Sequence, residues 1–404
     1  MSRSSRRDFV ASLASVPLAE GLSWADARLP RGLVRAPGDF LFAPGLVYLQ
    51  TASMGPVPRP VMEKVMEWWK ELELNPTFYG YGPHEKAMED ARANAAQFIG
   101  CAAEELVLTR STTDGMNWVA QGLDLARGDR VVTSDQEHPG GMSGWKHVAR
   151  RHGVGLDIVK ILPSTHDAGR IVDDFKRAIT PRTRVLMCSH VLSSTGLRMP
   201  VAELSALARS RDCLMVVDGA QAAGGIAVDV KALDCHAYVM PGHKWLLGPK
   251  GTGLLYLSAD VGTRIQPIAL EGSRLAYSDS SGVTSLPSVL GLSASIDYVR
   301  AAGIATVEAH NVALRNRAYA ALQSVPRIQV VSAPPGPMTS PLVTFRIPDE
   351  VKSRDLLQRL LNRHRVMVKA VPEMWMNGNR LSTHLFNTEA DVDAAVVALR
   401  TELA

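Results

Sequence analysis

Only four cysteines occur in the chain, Cys101, Cys188, Cys213 and Cys235, and no two of them stand at CxxC or zinc-ligand spacing. No disulfide framework is implied. Cys188 and Cys213 fall in apolar strand-like runs, where a buried free thiol is expected. No apolar run reaches the ~18 residues of a membrane-spanning helix. Basic residues do not cluster beyond the first few positions, and a net charge of +4 is small for 404 residues. A nucleic-acid partner therefore has no support. Internal repeats and low-complexity tracts are absent. Against these absences, 46% hydrophobic and 21% charged residues are ordinary for a soluble globular enzyme. The length allows a large core and two domains.

The chain is organised around Met240–Tyr256, MPGHKWLLGPKGTGLLY. Lys244 sits on a short loop between two apolar, strand-like runs, Ala237–Met240 and Gly253–Leu257. Desolvation in such a place lowers a lysine's pKa and frees its amine as a nucleophile toward an aldehyde. Taken alone, the lysine also fits a snorkelling side chain at a loop edge. Upstream, Leu214–Gly225 (LMVVDGAQAAGG) reads as a buried parallel strand that ends in Asp218 and a turn of small residues. A buried aspartate needs a cationic partner. A pyridinium nitrogen would serve, and Lys and Asp together are the expected way to hold pyridoxal phosphate (PLP).

VVDGAQ followed by GHKWLLGPKGTGLLY resembles the class V aminotransferase family of fold-type I PLP enzymes, in particular its isopenicillin N epimerase-like branch, related to the cysteine desulfurases. The resemblance covers roughly residues 46 to 395. It implies an α/β fold: a large PLP-binding domain (46–295) with a mostly parallel seven-stranded sheet, and a smaller C-terminal α/β domain (296–404). Residues 28–45 are expected to pack with the small domain. The alternation of strand and helix along the chain points to the same mostly parallel sheet. Lys244 would carry the cofactor as a Schiff base, and Asp218 would keep its ring nitrogen protonated.

The other expected contacts follow from the same resemblance. Arg110–Gly122 (RSTTDGMNWVAQG) places Thr112 and Thr113 at a helix start, which by itself is either a phosphate site or an ordinary N-cap. In the family it is the phosphate cup. His138 occupies the place of the ring that stacks on the cofactor, in a stretch, Ser134–Trp145, that reads as a loop with a tight turn at Pro139–Gly141. Ser193 stands where desulfurases carry Asn near the ring oxygen. Pro241 replaces a phosphate-binding serine, with Gln221 and His243 as substitute donors. Thr284 neighbours Val283 in a segment that reaches the partner subunit's phosphate.

Substrate residues are expected at three places. Leu46–Pro58 (LVYLQTASMGPVP) resembles the family's opening segment and offers Thr51 and Ser53 as pocket-lining groups. Arg380, in NRLSTHLFNT, has the planar fork that suits an α-carboxylate. The aromatic stretch Asn75–Pro83 reads either as a pocket wall or as a packed surface loop.

These features imply a PLP enzyme acting at the α-carbon of an amino acid or amino-acid-like substrate, of epimerase or aminotransferase type. Alternatives are a C–S lyase acting by β-elimination and a non-catalytic PLP-fold binding protein. Enzyme-bound persulfide chemistry is disfavoured, because no cysteine lies beyond Cys235. An epimerase needs a second acid, for which His84 and Tyr79 are candidates. A homodimer with its active site at the interface is expected, with neither a nucleic-acid partner nor a membrane span, and no metal. Finally, Arg6–Arg7 before Phe9, a weakly apolar stretch to Leu22 and Ala25-Asp26-Ala27 resemble a twin-arginine signal over residues 1–27. That implies a periplasmic protein, the alternative being a cytoplasmic one with a short basic tail.

Overall fold

The computed structural model describes residues 37–163, 165–271, 273–276, 280 and 282–404. The twin-arginine expectation for residues 1–27 lies outside them.

In chain order the strands are β1 (Val47–Tyr48), β2 (Leu106–Thr109), β3 (Arg130–Ser134), β4 (Gly155–Val159), β5 (Thr183–Ser189), β6 (Leu214–Asp218), β7 (Ala237–Pro241) and β8 (Gly253–Leu257). The C-terminal part adds β9 (Gln329–Val330), β10 (Leu342–Arg346), β11 (Val366–Met367), β12 (Lys369–Ala370) and β13 (Gly378–Ser382). Seven strands form the main sheet in the order β2-β8-β7-β6-β5-β3-β4. The β4-β3-β5-β6-β7 run is parallel, and only β8 runs against its neighbours. This is the α/β architecture expected from the alternation of elements.

Both faces of that sheet are buried. Leu186, Met215, Val217 and Met240 pack on one side, and Val185, Leu214, Val216 and Val239 on the other. Their near-continuous apolar runs are what burial on two faces demands. Each such side chain contributes about 2 kcal/mol by leaving water.

The C-terminal part holds a four-stranded antiparallel sheet, β12-β13-β10-β9, under the helices Ser353–His364 and Glu389–Leu403. β1 pairs in parallel with β11, so the chain's early segment is stitched to this part. Phe40 and Phe42 join it through Phe386, at ring separations of 4.8 and 5.3 Å. The helix Leu286–Ala302 runs unbroken across position 295, where the sequence suggests a division of the chain.

Three local expectations change. Pro139–Gly141 does not form a turn but opens the helix Pro139–His152: Pro139 occupies the first turn, where its missing N–H costs nothing, and His138 caps it. Asn75–Pro83 contains the short helix Pro76–Gly80, started by the Asn75 side chain accepting from Phe78 N at 3.1 Å. Arg365–Ala370, which reads in the sequence as one strand-like run, holds two strands, β11 and β12, which serve different sheets.

Candidate active site

Parallel strands end at one edge of the sheet, and the loops beyond β3, β5, β6 and β7 meet there. A cavity of about 280 Å³ lies at this edge, between the main sheet and the C-terminal part. Lys244, Asp218, His138, Thr112, Ser193 and Arg380 all line it. So do Ser53, Thr113, Gln221 and His243.

The loop bearing Lys244 is held from several sides. Trp245 is buried and donates from Nε1 to Gln221 Oε1 at 3.0 Å, while Gln221 Nε2 donates to the Ala52 carbonyl at 2.9 Å. The Trp245 carbonyl accepts from His384 Nε2 at 2.9 Å. A carbonyl can only accept, so the His384 proton sits on Nε2 and Nδ1 is left to accept from Asn311 Nδ2 at 3.3 Å. Gly55 N donates to the His243 carbonyl at 2.7 Å, and a Cβ on Gly55 would lie 2.0 Å from the Lys244 carbonyl oxygen. Only glycine allows that approach. Leu247 closes the loop in the left-handed region at φ 57°, a cost the surrounding packing sustains.

Lys244 is desolvated, which lowers its pKa from 10.5 to about 8 against the opposing pull of Asp218; Arg380 and Lys369 lower it further. Asp218 is buried at the end of β6, and its Oδ1 accepts from Ala220 N at 2.9 Å. Burial raises its pKa, partly offset by that bond and by the Lys244 charge. No ion pair joins Lys244 to Asp218 among the described residues, so the two face one cavity without closing it. A Cβ on Gly141 would meet Asp218 Oδ2 at 2.6 Å, so the helix after His138 approaches the carboxylate only because this residue is glycine.

His138 Nδ1 accepts from Gly140 N at 3.1 Å, which puts any single ring proton on Nε2. Desolvation, with Lys244, Arg380 and Lys369 nearby, holds its pKa below the ordinary value and keeps the ring neutral. Ser111 caps the helix Thr112–Gly122, its hydroxyl accepting from Asp114 N at 3.1 Å. The first N–H groups of that helix open toward the cavity. Arg380 is buried on β13 and donates through Nη1 to the Ser193 hydroxyl at 2.8 Å and to the Ser193 carbonyl. Burial lowers its pKa to about 10.

Not every expected group arrives. Thr51 is fully buried and does not line the cavity, which Ala52 and Ser53 face instead. Thr284 lines a separate apolar cavity with Leu72, Tyr81 and Val283. His84 and Tyr79 pack against each other, 5.7 Å between rings, with His84 Nε2 on Glu71 at 3.1 Å, and neither lines the active-site cavity. Tyr79 packs against the apolar cluster of Leu72 and Ala87. Conversely, Ser111, Lys369, Val371, Pro372 and Trp375 line the cavity without a sequence signal of their own. Glu137 was also missed. It is buried beside Asp218, accepts from Ser134 Oγ at 2.6 Å and from Ser189 N and Oγ at 2.9 and 2.6 Å, and its pKa is raised to about 7 by burial.

These residues fit PLP. Thr112 Oγ1 and His243 Nδ1 are buried without a partner where a phosphate would be met, next to a helix N-terminus. A desolvated lysine and a buried aspartate line the same cavity, the pair that a PLP aldehyde and a protonated pyridine nitrogen call for. Fold and site together define an α/β enzyme that binds PLP. The chain matches the family profile described as aminotransferase class-V over residues 47–395, and it belongs to that family. Among its relatives, a probable cysteine desulfurase of Methanothermobacter thermautotrophicus is 32% identical over 306 residues, covering 71% of this chain and 75% of that protein. An isopenicillin N epimerase of Streptomyces clavuligerus is 29% identical over 384 residues, covering 90% and 96%. Among solved structures, C-DES with glycine covalently linked to its PLP cofactor superimposes with a TM-score of 0.83 at 22% identity, over 90% of this chain and 99% of that one. At that identity the likeness speaks for the fold alone.

Proposed function

We propose that this PLP-dependent enzyme moves the α-proton of an amino acid, as an epimerase or aminotransferase does. The observation that carries the reading is the convergence on one cavity of Lys244, with a pKa of about 8, Asp218, and the carboxylate-sized fork of Arg380. When bound, PLP acts as an electron sink that acidifies the substrate's α-proton. Thr112, Thr113 and the helix N–H groups bind phosphate, with Gln221 and His243 behind them. His138 presents a neutral flat ring to the cavity. Asp218 holds the proton at the pyridine nitrogen, and its burial makes that interaction strong. Arg380 fixes the substrate carboxylate. The Lys244 amine, part-deprotonated near neutral pH, takes the α-proton; epimerisation further needs an acid on the opposite face, which neither His84 nor Tyr79 supplies within this cavity.

β-Elimination of the C–S lyase kind is the second reading, supported by the cysteine desulfurases among the relatives. It needs no enzyme thiol, whereas persulfide transfer does. None of the four free cysteines lines the cavity. Incubation with an amino-acid panel in deuterated water separates the outcomes. Hydrogen exchange at Cα without keto acid supports epimerisation, and keto acid with the amine retained on the cofactor supports transamination. Released thiol with pyruvate would favour the lyase, and no reaction together with a colourless protein would favour a binding module.

The homodimer belongs to the same reading. Met66, Trp69, Leu74 and Val283 are large apolar side chains left exposed, and Val283 lines the cavity that holds Thr284. A second copy that covers them would bring Thr284 toward the neighbouring phosphate site. Export by the twin-arginine route is proposed from residues 1–27 alone, and cell fractionation tests it.

A further inference from the structure

The cavity carries more cations than its described acid, Asp218, can answer. Lys369 on β12 and Arg380 on β13 are directly opposed across the antiparallel pair, and both line the cavity. Like charges at opposed positions destabilise a sheet, so the pairing has a cost that the fold alone does not explain. Neither Lys369 nor Arg380 takes part in any described ion pair. Arg380 Nε and Trp375 Nε1, both at this end, are buried donors without acceptors. Among the described residues, Asp218, at the strand edge of the main sheet, is the only carboxylate that lines the cavity.

One guanidinium fork satisfies one carboxylate. That leaves the Lys369 ammonium, half-buried, still without a counter-charge. Lys369 also borders a neighbouring cavity of about 350 Å³ lined by Gln50, Arg354, Gln358 and Glu373. There the exposed Arg354 adds a third cation, itself in no described ion pair, against the single exposed acid Glu373. Positive charge therefore continues from Arg380 through Lys369 to Arg354, from the first cavity into the second.

We propose that Lys369 forms a second anion site beside Arg380, and that the substrate is an amino acid bearing a second anionic group, in its simplest form a dicarboxylic amino acid. This rests on the reading that the cavity acts on amino acids. Arg380 takes the α-carboxylate, Lys369 takes the distal one, and Val371 and Pro372 wall the methylene chain.

The test compares α-hydrogen exchange in deuterated water for glutamate and α-aminoadipate with that for glutamine and norleucine, using PLP-loaded enzyme. A preference of at least tenfold in kcat/KM for the diacids is expected. It should fall at least tenfold in Lys369→Gln and persist in Lys369→Arg. Equal use of neutral amino acids, or a preference that survives Lys369→Gln, overturns the proposal. If no amino acid exchanges, the functional reading fails, and the anion site is judged by binding: calorimetric titration of the same protein with glutarate and with butyrate. Glutarate binding at least tenfold tighter, with the difference lost in Lys369→Gln, supports the site. Equal affinities overturn it.

Discussion

Replacing Lys244 by Met in the PLP-free protein should change how stability depends on pH. In the folded chain the lysine pKa is lowered from 10.5 to about 8, chiefly by desolvation. The unfolded chain therefore holds more protons between pH 8 and 10.5, and unfolding free energy must rise with pH through that window. At ~1.4 kcal/mol per pH unit, burying the charged amine costs roughly 3 kcal/mol at pH 7. At pH 9.5 the unfolded lysine is still mostly charged but the folded one is not, and the cost falls to about 1.5 kcal/mol by the same relation. The wild-type protein should thus gain about 2 kcal/mol between these two pH values from this residue alone. Lys244→Met should lack that gain, because its side chain does not titrate and other groups cancel in the difference. Urea unfolding at several pH values, with PLP removed from both proteins, measures it. Parallel pH profiles for the two proteins would refute a desolvated amine at position 244.

Other consequences concern single residues. Gly55→Ala places a methyl against the Lys244 carbonyl, 2.0 Å from a Cβ, so the lysine loop must shift. We expect a loss of about 1–3 kcal/mol in unfolding free energy, together with weaker PLP retention on dialysis. Asp218→Asn keeps the size of the side chain but removes its charge. Retained PLP with α-hydrogen exchange lowered about 100-fold or more is the expected result. Arg380→Lys keeps the charge and loses the fork, so KM for the amino acid should rise at least tenfold while PLP affinity stays unchanged. A kcat loss with KM unaltered would remove Arg380 from carboxylate binding.

The main sheet and its catalytic edge were legible because they are local. LMVVD is an apolar run that ends in Asp218, AYVM leads into the loop that carries Lys244, and Thr112–Thr113 stand at a helix start. Each of these signals lies within a few neighbouring positions. What escaped depends on register or on distant packing. Lys369 matters only because it opposes Arg380 across two strands separated by a loop, which no periodicity reveals. Glu137 is one acid in a polar stretch until β5 supplies Ser189 to bind it. His84 and Tyr79 carry suitable chemistry, but neither lines the cavity. The two glycines after Pro139 read as a turn, yet one of them lets a helix approach Asp218.

The central claim is that the Lys244 amine is the group that bonds to PLP. Borohydride reduction of the PLP-loaded protein, followed by digestion and mass spectrometry, locates the fixed pyridoxyl group. The group is expected on the peptide containing Lys244, with the label lost in Lys244→Ala. A label on Lys250 or Lys369, or on no lysine at all, would contradict it.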